Sequence, residues 1–94
     1  MKTFAEHMTE ERRLLILQIL GNGEKNESMI AMMLRECEHR ASHDQVRGDL
    51  AWLKEQGLVA IEEIATIQIA TLTQRGLETA TGIVETPGVA KAKP

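Results

Sequence analysis

The stretch from Arg40 to Val59, RASHDQVRGDLAWLKEQGLV, constrains this chain more than any other. Ser42 suits a helix N-cap, because its hydroxyl can accept from a free amide of the first turn. Gln45, three residues on, can reach back to the Ser42 amide and complete a capping box. Val46, Leu50 and Leu53 then recur at helical spacing, so one narrow stripe faces a core. Gly57 can take the left-handed conformation that ends a helix, and Leu58 and Val59 begin an extended segment. A helix entered through a tight turn and leaving into a short strand is the unit around which the chain is read.

The flanking segments give the order of elements. Residues 1–8 read as a flexible N-terminal arm. Thr9 reads as an N-cap, with Glu10 and Glu11 placed where negative charge suits the helix dipole, and the helix runs to Leu20 before Gly21-Asn22-Gly23. Arg13, Ile16, Leu17 and Leu20 share one face. Met8, Leu15 and Ile19 lie on another, more apolar surface than one small domain usually covers. That surplus is met either by packing within the chain or by a second copy, so Met8, Leu15, Ile19 and Trp52 are candidate interface residues. Asn26 or Ser28 caps a second helix running to about Cys37 or Glu38, with Ile30, Met33, Leu34 and Cys37 as its inward stripe and Cys37 as a core thiol.

From Leu58 to Thr73 the period changes. Val59, Ile61, Ile64, Ile67, Ile69 and Leu72 are mostly β-branched, which predicts strands at 58–62 and 66–72 around a turn at 63–65. Thr73 caps a last short helix to about Thr81, which Gly76 and Gly82 weaken. The segment 84–94, with both prolines, reads as an extended or disordered tail. The fold class is therefore mainly α with a small β-hairpin, in the order α-α-α-β-β-α, with one domain over residues 9–83.

Composition narrows the function. A single cysteine in 94 residues excludes an internal disulfide and suits a cytoplasmic location. No stretch approaches the ~20 apolar residues that cross a bilayer. The formal charge is −3, an unpromising start for a protein whose partner is a polyanion.

The residues also carry a family resemblance. Val46 to Val59, VRGDLAWLKEQGLV, resembles the recognition-helix signature of winged-helix (winged helix-turn-helix) regulators, and Leu72 to Gly82, LTQRGLETATG, resembles the segment that leaves their wing. The segments at Trp52 to Val59, Leu72 to Gly76 and Pro87 to Val89 are similar to those of small winged-helix proteins of Mu-like phages and prophages. The resemblance implies a DNA-binding transcriptional regulator with helix 3, about 43–56, in the major groove. Its outward side chains would read base edges and wing cations would hold phosphates.

Two features depart from that pattern. With Val46, Leu50 and Leu53 inward, helix 3 turns Asp44, Gly48, Ala51 and Glu55 outward, which is a poor reading surface. The better DNA contacts are at the helix start: Arg40, Ser42, His43, Gln45 and Arg47, with Arg47 suited to guanine and Gln45 to adenine. Ser42 and Gln45 are equally explained as capping residues alone. Gly48 costs about 1 kcal/mol relative to alanine in a helix interior, which either close approach to a partner or tolerance on an exposed face explains. From Leu58 to Gln74 the charged residues are Glu62 and Glu63, with no Lys or Arg. Such a wing suits protein contacts better than phosphate, so the alternative is a winged-helix interaction module that dimerises or docks without DNA.

Other chemistry is poorly supported. Ser42-His43-Asp44 cannot converge as a catalytic triad, because neighbouring helical side chains diverge by about 100°. Cys37, His39 and His43 lack the spacing of a metal site, and GNGEK lacks the full phosphate-loop pattern. No cofactor, membrane or small-molecule partner is implied, and the chain reads as a non-enzyme whose partners are double-stranded DNA and a second copy of itself.

Overall fold

The computed structural model describes residues 1–93; the last residue of the 84–94 segment lies outside them. The elements are α1 (Phe4–Leu20), β1 (Lys25–Asn26), α2 (Glu27–Glu36), α3 (His43–Glu55), β2 (Val59–Ile64), β3 (Ile67–Leu72) and α4 (Gln74–Ala80). This is the winged-helix order, with one addition. Lys25 and Asn26 pair antiparallel with Ala70 and Ile69, so the hairpin gains a third strand and the sheet order is β1-β3-β2.

Caps set the helix starts. Ser42, Asn26 and Thr73 each accept a backbone amide three residues on, satisfying donors that the first turn leaves free. The first helix differs from expectation. It begins at Phe4, because Thr3 and Glu6 form a complete capping box, and Thr9 lies inside the helix. Most of the expected flexible arm is therefore helical. Gly57 adopts a φ of +75°, and Leu58 N–H returns to the Leu53 carbonyl at 3.0 Å, closing α3 as expected.

The hairpin register assigns the faces of the sheet. Val59 pairs with Leu72 and Ile61 with Ala70 on the core side, whereas Ala60–Thr71, Glu62–Ile69 and Ile64–Ile67 face away. The turn is the two residues Ala65 and Thr66, so β2 runs two residues beyond the expected strand. The core joins Ile16, Leu17 and Leu20 of α1 to Ile30 and Leu34 of α2, Val46, Leu50 and Leu53 of α3, and Leu58, Val59 and Ala70 of the sheet.

Two apolar expectations change. Cys37 is the exposed C-cap residue of α2 rather than a core thiol, because the helix stops at Glu36 and its last turn no longer carries the stripe inward. Ile19 is buried inside the chain, and Leu15 and Trp52 pack on the core. The surplus surface of α1 is thus met largely within the chain, where α1 packs on α4 and β3. Met8 is half-buried.

Residues 84–93 have no helix or strand, yet they pack as a strap instead of trailing as a disordered tail. Thr86, Val89 and Ala92 are buried. Ala90 N–H bonds the Glu10 carbonyl at 3.1 Å, and the Thr79 and Thr86 hydroxyls lie 3.0 Å apart. Gly88, at a φ of +93°, sits on Trp52, where an added Cβ would lie 2.5 Å from a ring carbon. Gly88→Ala is therefore expected to cost about 1–3 kcal/mol through strained φ and overpacking. Trp52 fluorescence should shift to the red as the strap lifts; an unshifted spectrum with native stability would show that the glycine is replaceable.

Candidate nucleic-acid interface

The α3 N-terminus is built first by local bonds. Gln45 N–H donates to Ser42 Oγ at 3.0 Å, and Ser42 N–H donates to Gln45 Oε1 at 2.9 Å. Both side chains are committed to the cap while remaining exposed. Val46, Leu50 and Leu53 then seat the helix on the core with no exposure. His43, Asp44, Gly48, Ala51 and Glu55 are left on the solvent side, as the helical wheel requires. No atom stands within 4 Å of the position a Gly48 Cβ would take, so nothing in the chain itself explains that glycine.

Arg40 is exposed in the turn between α2 and α3, just before the cap. Among the described residues Arg40, Arg35, Lys54 and Arg75 take part in no ion pair. Arg47 is different. Its Nη2 donates to Glu27 Oε1 at 2.8 Å and to the Thr66 carbonyl at 2.8 Å, and its Nε stands 2.5 Å from Glu27 Oε2 as an ion-pair contact. Hydrogen bonding to Glu27 raises the Arg47 pKa above its ordinary value. The side chain expected to meet guanine is therefore engaged within the molecule. Its partner Glu27 escaped the sequence reading, because nothing local distinguishes that glutamate from any acidic residue in a first helical turn.

A second charged group supports α3 from behind. Asp49 is buried and held by Arg12 and Arg13 of α1. Arg13 also lies over the Trp52 ring, 3.9 Å from its centroid, and donates to the Gly88 carbonyl at 2.9 Å. Trp52 thus packs against α1 and the strap. Cys37, His39 and His43 form no metal-binding cluster among the described residues.

The wing carries no cation. Glu62 and Glu63 are exposed, and Gln68 donates to Glu63 at 3.1 Å. Its tip is apolar: Ile64 is 54% exposed and Ile67 48%, paired on the outer face.

No protein-family model matches the chain. Over 89 residues it is 42% identical to gp26 of Escherichia phage Mu, covering 93% of each protein. The chain belongs to the gp26 family. A second relative of this gp26-family chain, from Haemophilus influenzae, is 39% identical over 82 residues, covering 84% of the chain and 80% of the relative. Among solved structures it is similar to RosR of H. salinarum, at a TM-score of 0.68 and 21% identity, over 74% of this chain and 66% of that one. A RosR-S1 complex structure matches at a TM-score of 0.66 and 25% identity. The match covers 70% of the gp26-family chain and spans 61% of the RosR chain. These likenesses agree with the winged-helix architecture. No helix of the described residues is long and apolar enough to cross a membrane.

Proposed function

We propose that this gp26-family protein is a phage-type DNA-binding protein, a transcriptional regulator that lays α3 in the major groove of duplex DNA. The observation that carries the reading is the exposed, doubly capped start of α3. There Arg40 and His43 stand outward beside amides that a helix N-terminus can offer to phosphate. Ser42 and Gln45 contribute through that cap, and Arg47 lies at its far edge. The winged-helix likeness to RosR supports the same reading at the level of the fold.

The test is a fluorescence-anisotropy titration with a mixed-sequence duplex and with a duplex selected by the protein from a randomised library, each at two salt concentrations. Binding to the selected duplex should be tighter and weaken with salt, because phosphate contacts release counterions. Arg40→Ala should weaken both duplexes and lower the salt slope by roughly one, as expected for one lost phosphate contact. Absence of binding at low salt by folded protein would defeat the proposal.

A second reading has its own support. The outer wing face, with Ile64 and Ile67 exposed beside Glu62 and no Lys or Arg between residues 58 and 74, has the chemistry of a protein contact rather than a phosphate clamp. In that reading the wing docks on a protein, and the DNA titration stays flat.

A further inference from the structure

The Arg47 fork joins three separate pieces of the fold. Glu27 begins α2, Arg47 stands in the second turn of α3, and Thr66 is in the turn at the wing tip. Glu27 is buried, its Oε1 accepts from Arg47 Nη2 and its Oε2 lies against Arg47 Nε as an ion-pair contact without a hydrogen bond, so the carboxylate acts as a fixed post. From that post the guanidinium reaches across to the Thr66 carbonyl. The hydrogen bond to Glu27, the one to Thr66 and the ion-pair contact at Nε together hold the guanidinium plane in one orientation, which a single contact would not do. The tip has little else to hold it. Ile64, Ala65, Thr66 and Ile67 are all exposed, and Ala65 is at a φ of +57°.

We propose that Arg47 is a positioning residue which, braced by Glu27, holds the wing tip against the recognition helix and so sets the shape that α3 and wing together present to DNA. The proposal rests on the DNA-binding reading for its consequence, but not for the link itself. It replaces a base contact with an internal strut, and it gives a wing without cations a role. The wing then limits how α3 can lie in the groove by its shape and position, not by holding phosphate.

The chemistry makes the alternatives separable. A lysine at position 47 keeps the charge but cannot bind carboxylate and carbonyl with one rigid plane. Glutamine at position 27 keeps the shape but removes the charge that fixes the guanidinium. If Arg47 were a base reader merely restrained by Glu27, loosening Glu27 would free it and tighten binding.

The experiment compares wild type, E27Q and R47K in the full chain, each first shown to be folded by its circular-dichroism melt. Amide hydrogen exchange reads the tip. Exchange at Ala65, Thr66 and Ile67 is expected to quicken about tenfold in both variants while core amides keep their protection. Affinity for the selected duplex is expected to fall about tenfold in both, with mixed-sequence affinity nearly unchanged. Unchanged tip exchange in both variants overturns the proposal. So does an R47K protein that binds the selected duplex like wild type, or an E27Q protein that binds it more tightly. If wild-type protein selects no duplex, the DNA reading falls, and the exchange comparison alone decides whether Arg47 holds the wing.

Discussion

Gly76→Ala is expected to destabilise the protein by at least about 3 kcal/mol. That loss lowers the thermal midpoint by roughly 12–24 °C for a domain of this size. Gly76 is buried in the first turn of α4, where its amide donates to Thr73 Oγ1 at 3.0 Å. A methyl group there would lie 2.0 Å from the Leu58 carbonyl oxygen, 3.0 Å from its carbon and 2.8 Å from Leu72 Cδ1. The leucine side chain can turn away, but the carbonyl cannot. Leu58 O already accepts the Thr73 amide at 3.1 Å, so the α4 cap and the entrance to β2 are tied to each other. Relief requires α4 to lift from the sheet and to disturb its packing on α1. The control is Gly48→Ala on the open face of α3, where no atom obstructs the methyl. That change should stabilise by about 1 kcal/mol from helix propensity alone. Thermal melts of the two variants should thus move in opposite directions. A Gly76→Ala melt within a few degrees of wild type would mean that the helix–sheet approach yields easily.

Asp49→Ala is expected to cost about 3–5 kcal/mol, the range for removing one member of a buried ion pair. The Asp49 side chain is 5% exposed, and those of Arg12 and Arg13 are 11% and 18% exposed. Arg12 donates through Nε to Oδ2 and, at 3.4 Å, through Nη2 to Oδ1, while Arg13 Nε stands 3.5 Å from Oδ1. Without the carboxylate, two guanidiniums remain in a space with little water and no countercharge. The loss also reaches the strap, because Arg13 holds both the Trp52 ring and the Gly88 carbonyl. Urea titration gives the midpoint, and Glu85→Ala supplies the comparison. Glu85 pairs with Lys91 at 2.9 Å on the open surface, where water and salt screen the pair and little stability depends on it. If Asp49→Ala costs no more than Glu85→Ala, burial adds nothing to the Asp49 cluster. If it costs several times more, and high salt does not narrow the gap, the cluster is what clamps α1 to α3.

The parts of this fold legible in the sequence are those decided within a few residues. Ser42 and Gln45 identify each other at a spacing of three, Val46, Leu50 and Leu53 repeat with the helical turn, and Gly57 ends α3. The alternating isoleucines mark the hairpin for the same reason. The start of α1 was equally local, since Thr3 and Glu6 form a capping box. Thr9 with Glu10 and Glu11 makes a competing signal of the same type six residues on. The candidate site is less legible. Arg47 and Glu27 are 20 residues apart, Arg12 and Asp49 37, and Arg13 and Gly88 75. Nothing in the identity of an arginine says which carboxylate it will meet. Gly76 gives the same lesson in reverse: its composition reads as a weakness in α4, and only the nearness of the Leu58 carbonyl makes it a requirement. The sequence by itself determined the order of the helices, the caps of α3 and α4 and the hairpin, because backbone hydrogen bonds and side-chain periodicity act over one or two turns. The tertiary structure decided where each charge is neutralised, that the C-terminal segment is a strap, and that Arg47 pairs with Glu27 and Thr66, because those pairings depend on which surfaces come together when the core closes.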